Sequence, residues 1–347
     1  MDELFIGISG INAIDNPGPG IGVARSLIED PTLKTRIVGL AYDAMEPGIY
    51  MDWVVEKSYI LPYPSGDNDA FIDRLLYIKH SYGLDIVIPN LDAELPLYIK
   101  NAAKLKSHGI HTFLPNMEQF KLRGKDHLND IAERIAISLP ATKVVSSIDE
   151  FLLAITEVGL PVMVKGAFYK AYKCFTTAVA ISHYHELVAE WGYPIIVQQV
   201  VAGEELNVVG LGDGEGNSLG MVGIKKLSVT ALGKIWTGVT VKNDKMLKAT
   251  ENFIREFKWR GPFEMECIIT TDDEIFLIEI NPRFPAWVYF ATGIGINLPS
   301  RLVHQCMGLP LPPLPDYEAG KLFIRYTYEL VTDMENFQKT VTRGEAP

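Results

Sequence analysis

A chain of 347 residues is longer than one ordinary hydrophobic core requires and fits two or three domains. Hydrophobic residues at 48% and charged residues at 22% exclude a disordered or collagen-like chain. With 43 acidic against 32 basic side chains the net charge is -11, and no block of Lys/Arg supplies a nucleic-acid footprint, so an anionic ligand needs a local basic site.

The chain opens on a short apolar run, Leu4 to Ser9, followed by a Gly/Pro-rich loop, Gly10 to Gly22, and a helical segment from Val23 to Glu29. Ile37 to Ala41 gives a second strand ending at Asp43, Asp85 to Pro89 a further one, and Leu97 to Lys106 a helix, up to His111 to Pro115. This alternation fits a doubly wound parallel sheet of an α/β domain over residues 1–116. Beyond Pro115 the texture changes to a helix over Lys121 to Ile137, a strand at Pro161 to Lys165 and a helix near Tyr184 to Trp191. Long β stretches follow at Ile195 to Gln199, Glu205 to Leu211, Ser218 to Val229 and Phe263 to Glu279, which make an α+β region with antiparallel sheet. Leu309 to Pro315 is proline-dense and leads to a last strand, Leu322 to Tyr328, and a tail without an assigned role.

Cys174, Cys267 and Cys306 show neither CxxC nor Cys/His spacing, so they read as reduced thiols and not as a disulfide framework or zinc site. The N-terminal MDELFIGISG lacks a basic region before an apolar segment, and no stretch approaches the length of a membrane span, so the expected compartment is the cytoplasm.

Residues Gly261 to Pro285, GPFEMECIITTDDEIFLIEINPRFP, read as two alternating strands around an Asp272-Asp273 turn. Symmetric closure about that turn makes Glu266 face Glu279 and Glu264 face Asn281, all four on one side of the sheet. Like charges directly opposite one another are destabilising unless a cation intervenes. Carboxylates joined by an amide oxygen suit a hard cation such as Mg²⁺, which completes its shell with water and substrate phosphates. A solvated polar face is the plain alternative. Pro282 ends the strand and leaves Arg283 to turn back toward a bound anion.

Glu279-Ile280-Asn281-Pro282-Arg283, with an acidic residue on the preceding strand, resembles the magnesium-binding strand of the ATP-grasp superfamily, and Asn-Pro-Arg is similar to its biotin carboxylase and carbamoyl-phosphate synthase branch. The resemblance implies further residues, in order. Lys125 in RGKDHL and Lys165 at the end of PVMVK stand where the family has its two ATP lysines. IIVQQVVAGEELNVV resembles the hinge strand that holds adenine and ribose: Gln198 takes the adenine amino edge, Gln199 and Val201 offer backbone groups, and Glu205 takes the ribose hydroxyls. Lys226 is a further phosphate contact, with Lys225 on the opposite face of its strand. The chain departs from the family after Lys165, where GAFYKAYKCFTT stands in place of a glycine-rich flap, so Lys170 and Lys173 become candidates for supplying charge there.

The resemblance implies a pre-ATP-grasp α/β domain over 1–116, an ATP-grasp domain over 117–315 with lobes of about 117–202 and 203–315, and a C-terminal strand and tail over 316–347. It implies an ATP-dependent carboxylate-amine ligase using ATP and one or two Mg²⁺, with Mn²⁺ as an alternative, held by Glu266, Glu279 and Asn281. Arg283, Lys165 and Lys226 take the catalytic roles. Partners are then a small-molecule or peptide carboxylate and an amine, with no nucleic acid or membrane and a homodimer as family habit. The rival readings are a bicarbonate-using carboxylase or carbamoyl-forming enzyme, and a non-catalytic ATP-binding subunit.

The loop Gly18-Pro19-Gly20-Ile21-Gly22 invites a dinucleotide reading, but the G-x-G-x-x-G spacing is not completed. A helix N-terminus below such a loop, with Arg25 nearby, equally suits a substrate carboxylate. Asp15, Asn16, Asp92 and Glu94 are further candidates for the substrate side, or else caps and turns.

Overall fold

The computed structural model describes residues 3–124, 127–166 and 170–346. The first layer runs β1 (Leu4–Ile8), α1 (Pro19–Ile28), β2 (Thr35–Ala41), β3 (Lys57–Ile60), α2 (Asn68–Ser81), β4 (Ile86–Ile88) and α3 (Leu95–Ser107). β1 pairs in parallel with β2 and with β4, and β2 with β3. Its strands are near-continuous apolar runs because helices cover both faces, as in parallel sheets generally.

Next come α4 (Met117–Lys121) and α5 (Leu128–Ile135). The single helix expected over Lys121 to Ile137 is therefore two. α4 opens with a full capping box between Asn116 and Gln119 and closes in a turn in which Gly124 donates to the Lys121 carbonyl.

The chain continues through β5 (Thr142–Val145), α6 (Ile148–Val158), β6 (Val162–Lys165), β7 (Ala171–Cys174), α7 (Thr177–Trp191) and β8 (Ile195–Gln199). These four strands form an antiparallel sheet in the order β5-β8-β6-β7. One face packs Val145, Val162, Val164, Cys174, Ile195 and Val197 against Phe151 of α6 and Tyr184 and Leu187 of α7. Strand alternation turns Met163 and Lys165 to the other face.

The last part holds β9 (Glu204–Asp213), β10 (Ser218–Val229), β11 (Ile235–Val241), α8 (Asp244–Glu256), β12 (Arg260–Ile269), β13 (Ile275–Asn281), α9 (Val288–Gly293), α10 (Leu298–Met307), β14 (Leu322–Ile324), α11 (Met334–Arg343) and β15 (Glu345–Ala346). A six-stranded sheet has the order β13-β12-β9-β10-β11-β14. The final expected strand stops at Ile324, and the tail is ordered: β15 pairs antiparallel with β3 and becomes the fifth strand of the N-terminal sheet. The proline-dense stretch before β14 is pinned by Arg301, which donates to the carbonyls of Leu219 and Pro312.

Two compact units result, one of residues 1–135, 206–266 and 279–347, the other of residues 136–205 and 267–278. Among the described residues no helix is long and apolar enough to cross a membrane.

Candidate active site

The acidic residues of the first unit sit on adjacent strands, since β12 and β13 are hydrogen-bonded neighbours. Their turn differs from the symmetric one expected about Asp272-Asp273. Thr270 donates to the Glu274 carbonyl at 3.0 Å, which closes a three-residue loop, and Asp273 takes φ 62°. Three-residue hairpin loops place a left-handed residue at this point, and Asp tolerates that conformation better than most side chains. The side chains nevertheless meet: Asn281 Nδ2 donates to Glu266 Oε1 at 3.0 Å and lies 3.4 Å from Glu264 Oε2.

Glu264 is the buried hub of this cluster, a role that sequence reasoning left unassigned. Its Oε1 accepts from Asn207 Nδ2 on β9 at 2.8 Å and from Trp287 Nε1 at 2.7 Å. Burial first, and the charge of Glu266 second, push its carboxyl up to about 7. Glu266 in turn pairs with Lys226 Nζ at 3.0 Å, with only 9% of the lysine side chain exposed. Of the two lysines in IKKL, it is thus Lys226 that reaches the acidic cluster. Glu279 lies on the same strand as Asn281 and is exposed.

The donor set suits a hard divalent cation. Glu264 and Glu266 crowd negative charge together, and the first responds by binding its proton more tightly. Because both carboxylates accept hydrogen bonds, the Asn281 amide presents its NH₂ to them and leaves its Oδ1 as a ligand atom. Glu266, Glu279 and Asn281 would hold the ion. Among the described residues no group of three or more His, Cys, Asp or Glu is placed to bind a metal, so the third oxygen would come from the amide.

Arg283 follows on this strand but is not left loose by Pro282. Its Nε donates to Asp92 Oδ2 at 2.7 Å and its Nη1 to the Phe284 carbonyl at 3.3 Å. Asp92 Oδ1 accepts from Arg123 Nη1 at 2.6 Å. Burial would raise the Asp92 pKa, yet Arg283 and Arg123 together hold it below the ordinary carboxylate value. Arg123 was missed in the sequence because a lone arginine after a short helix carries no pattern.

The second unit holds the residues matched to the adenine-binding hinge. Lys165 Nζ donates to Gln198 Oε1 at 2.7 Å, and Gln198 Nε2 donates to Thr142 Oγ1 at 3.0 Å. The Gln199 N–H is used by the Ala141 carbonyl at 2.8 Å, so of its backbone groups the carbonyl is the one to offer a ligand. Val201 is half-buried and Glu205 exposed. Lys170 is turned onto α7, with Nζ 2.5 Å from Glu190 Oε2 and 3.6 Å from Glu186 Oε1, and Lys173 lies over the Phe175 ring at 5.2 Å. In this conformation Lys170 is paired with α7, by exposed contacts that cost little to break. Lys125 lies outside the described residues.

The N-terminal loops are tightly self-bonded. The N–H groups of Gly18 and Gly20 at the start of α1 donate to the carbonyls of Asn12 and Gly10, and a Cβ on Gly20 would lie 2.3 Å from the Ser9 carbonyl oxygen. These two amides are spent on the loop itself instead of cradling a phosphate. Asp15 accepts from Thr230 and Asn16 donates to the Ile235 carbonyl, so both brace the β10–β11 turn. Glu94 stands at the α3 N-cap without a side-chain cap bond; its buried carboxylate instead accepts from Ser9, Tyr42 and the amides of Asn90 and Leu91. Beside it Glu46 accepts from the Tyr42 amide at 2.8 Å through Oε1, while its buried Oε2 has no hydrogen-bond partner among the described residues.

Residues 174–286, which include β8 to β13 and the acidic hairpin, match the model of the ATP-grasp domain family. That segment is thus similar to an ATP-grasp domain, in a fold where a parallel α/β layer precedes antiparallel sheets. Solved structures of similar fold include N5-carboxyaminoimidazole ribonucleotide synthetase from Thermus thermophilus (15% identity, 91% of this chain and 81% of that one, TM-score 0.66). A second is the biotin carboxylase domain of the Hydrogenobacter thermophilus 2-oxoglutarate carboxylase, complexed with MgADP, ADP and bicarbonate (15%, 92% and 73%, TM-score 0.66). A third is the L-amino acid ligase from Bacillus licheniformis (16%, 88% and 74%, TM-score 0.65).

Proposed function

We propose that this protein is an ATP-dependent ligase that activates a substrate carboxylate as an acyl phosphate for attack by an amine, releasing ADP and phosphate. The observation that carries the reading is the packing of Glu264, Glu266 and Asn281 around one another on the ATP-grasp hairpin, with Lys226 as the buried counter-charge. Glu266, Glu279 and Asn281 are the magnesium ligands in this reading; the ion, when bound, neutralises phosphate charge. Lys165, Lys226 and Lys125 contact the phosphates, Gln198, Gln199 and Val201 read adenine, and Glu205 takes the ribose hydroxyls.

The chemistry that follows asks little of a nucleophilic side chain. One oxygen of the substrate carboxylate attacks the γ-phosphorus, the bond to the β-phosphate oxygen breaks, and ADP leaves. Arg283 steadies charge on the substrate oxygens, and an amine of an amino acid or peptide then displaces phosphate from the acyl carbon. The likeness to an L-amino acid ligase fold agrees with an amino-acid amine, and the likeness to a biotin carboxylase domain makes bicarbonate a necessary member of any substrate panel.

The test is ADP and phosphate release across carboxylic acids, bicarbonate included, paired with amino acids. At least one pair is expected to raise ADP release above the ATP-only rate, and Glu279→Ala to abolish the increment. Full activity in that variant would remove Glu279 from the metal set, and no stimulation by any pair, with ATP bound but not turned over, would favour a non-catalytic nucleotide-binding subunit.

A further inference from the structure

Two guanidinium groups converge on one carboxylate in the first unit. Asp92, in the loop after β4, accepts from Arg123 with one oxygen and from Arg283 with the other, at 2.6 and 2.7 Å. Each arginine has a second restraint: the Arg123 guanidinium lies over the Phe120 ring at 4.5 Å, and Arg283 donates to the Phe284 carbonyl. Planar groups held from two sides have already lost the side-chain entropy that ligand binding would otherwise cost.

Within this triad the charge does not cancel, because two cations share one anion. An Arg–Asp pair alone would be a structural tie, with both formal charges satisfied. A second guanidinium leaves the triad itself with one positive charge over, and each arginine carries five N–H donors of which Asp92 engages one. The side chains of Arg123 and Arg283 are 34% and 21% exposed, so neither arginine is sealed from solvent. Arg283 also feels the charges of Glu264 and Glu279, which sets this triad beside the acidic hairpin in the same unit.

We propose that Asp92 holds Arg123 and Arg283 side by side as a fork for an oxyanion, and that the ligand is the carboxylate of the acid substrate. A carboxylate is planar and offers two oxygens, which two neighbouring guanidiniums can take at once. Asp92 is a positioning residue here: it keeps the two cations together against their mutual repulsion without using the edges that meet the ligand. This assignment rests on the ligase reading above and adds Arg123 and Asp92 to it.

The experiment uses the full chain held with MgADP and follows binding of acetate, bicarbonate and inorganic phosphate by calorimetry, for the wild type, Arg123→Met, Arg123→Lys and Asp92→Asn. Acetate or bicarbonate is expected to bind the wild type, to weaken about tenfold in Arg123→Met, the factor one charge-assisted hydrogen bond supplies, and to fall between the two in Arg123→Lys. Asp92→Asn is expected to weaken the same probes, and MgADP affinity to stay within about twofold throughout, since less than about 0.4 kcal/mol of nucleotide binding is then at stake.

Arg123→Met binding acetate and bicarbonate as well as the wild type would overturn the proposal and leave the triad a structural tie. So would a wild type that binds neither, or a loss confined to phosphate and MgADP, which would make the fork a grip on the nucleotide. If the wild type fails to bind MgADP at all, the ligase reading falls, and the same probes titrated without nucleotide still decide whether the fork takes a carboxylate.

Discussion

Glu46 gives the sharpest test of the packing at the carboxyl ends of the N-terminal strands. The residue is 7% exposed, and burial, opposed by hydrogen bonds from Tyr42 and Asp43 and reinforced by the charge of Glu94, pushes its carboxyl from 4.5 up to about 7. The folded protein thus holds this proton more tightly than the unfolded chain does. Its contribution to stability is complete below about pH 4.5 and is lost as pH rises to about 7. At about 1.4 kcal/mol per pH unit the loss is about 3 kcal/mol, an order-of-magnitude figure. Glu46→Gln keeps the shape and the oxygen that accepts from the Tyr42 amide but cannot ionise. Urea denaturation of both proteins from pH 4.5 to 8 should show the variant gaining on the wild type by about that amount across the interval. Glu94 titrates in both and drops out of the difference, apart from its coupling to Glu46. Parallel stability curves for the two proteins would refute the argument, since they would mean that Glu46 reaches water in the folded state.

Two further substitutions probe the sheets that carry the site. Tyr317→Phe removes the hydroxyl that accepts from the Gly223 amide at 3.0 Å and donates to the Val241 carbonyl at 2.9 Å, so a loss of about 1–3 kcal/mol is expected in the same denaturation assay. Gly212→Ala would put a Cβ 2.1 Å from the Trp259 carbonyl oxygen, a backbone clash that no rotamer relieves; a loss of about 3 kcal/mol or more, or failure to accumulate as soluble protein, is the expected result.

The parts of this molecule legible in the sequence are those with their own periodicity. The parallel strands read as apolar runs, and alternation along Gly261 to Pro285 places Glu264, Glu266 and Asn281 on a common face, where the side chains do meet. The turn between those strands is less legible, because Thr271-Asp272-Asp273 carries no glycine to mark the left-handed position that Asp273 takes. Asn207, Trp287 and Arg123 were invisible for a different reason: each meets its partner from a distant stretch of chain, and a single Asn, Trp or Arg carries no spacing signal. Nothing local announces that the Glu94 carboxylate is a buried acceptor, since Ser9 and Tyr42 reach it from the loops that follow β1 and β2.

The tail illustrates the limit most clearly, and it also has a consequence for how the molecule is assembled. β14 extends the six-stranded sheet through β11, and 21 residues later β15 lies along β3 at the rim of the other sheet. Arg74 and Tyr77 of α2 fasten this end by bonds to the Gly344 carbonyl and the Glu345 carboxylate. Until that seam forms, β3 has a bare row of amides and carbonyls open to pairing with any other strand. On a ribosome the first sheet must therefore wait, with one flank uncovered, for nearly three hundred residues to be synthesised. Clipping the last few residues would leave every proposed ligand in place yet recreate the vulnerable intermediate permanently, and the expected symptom is self-association and not loss of chemistry.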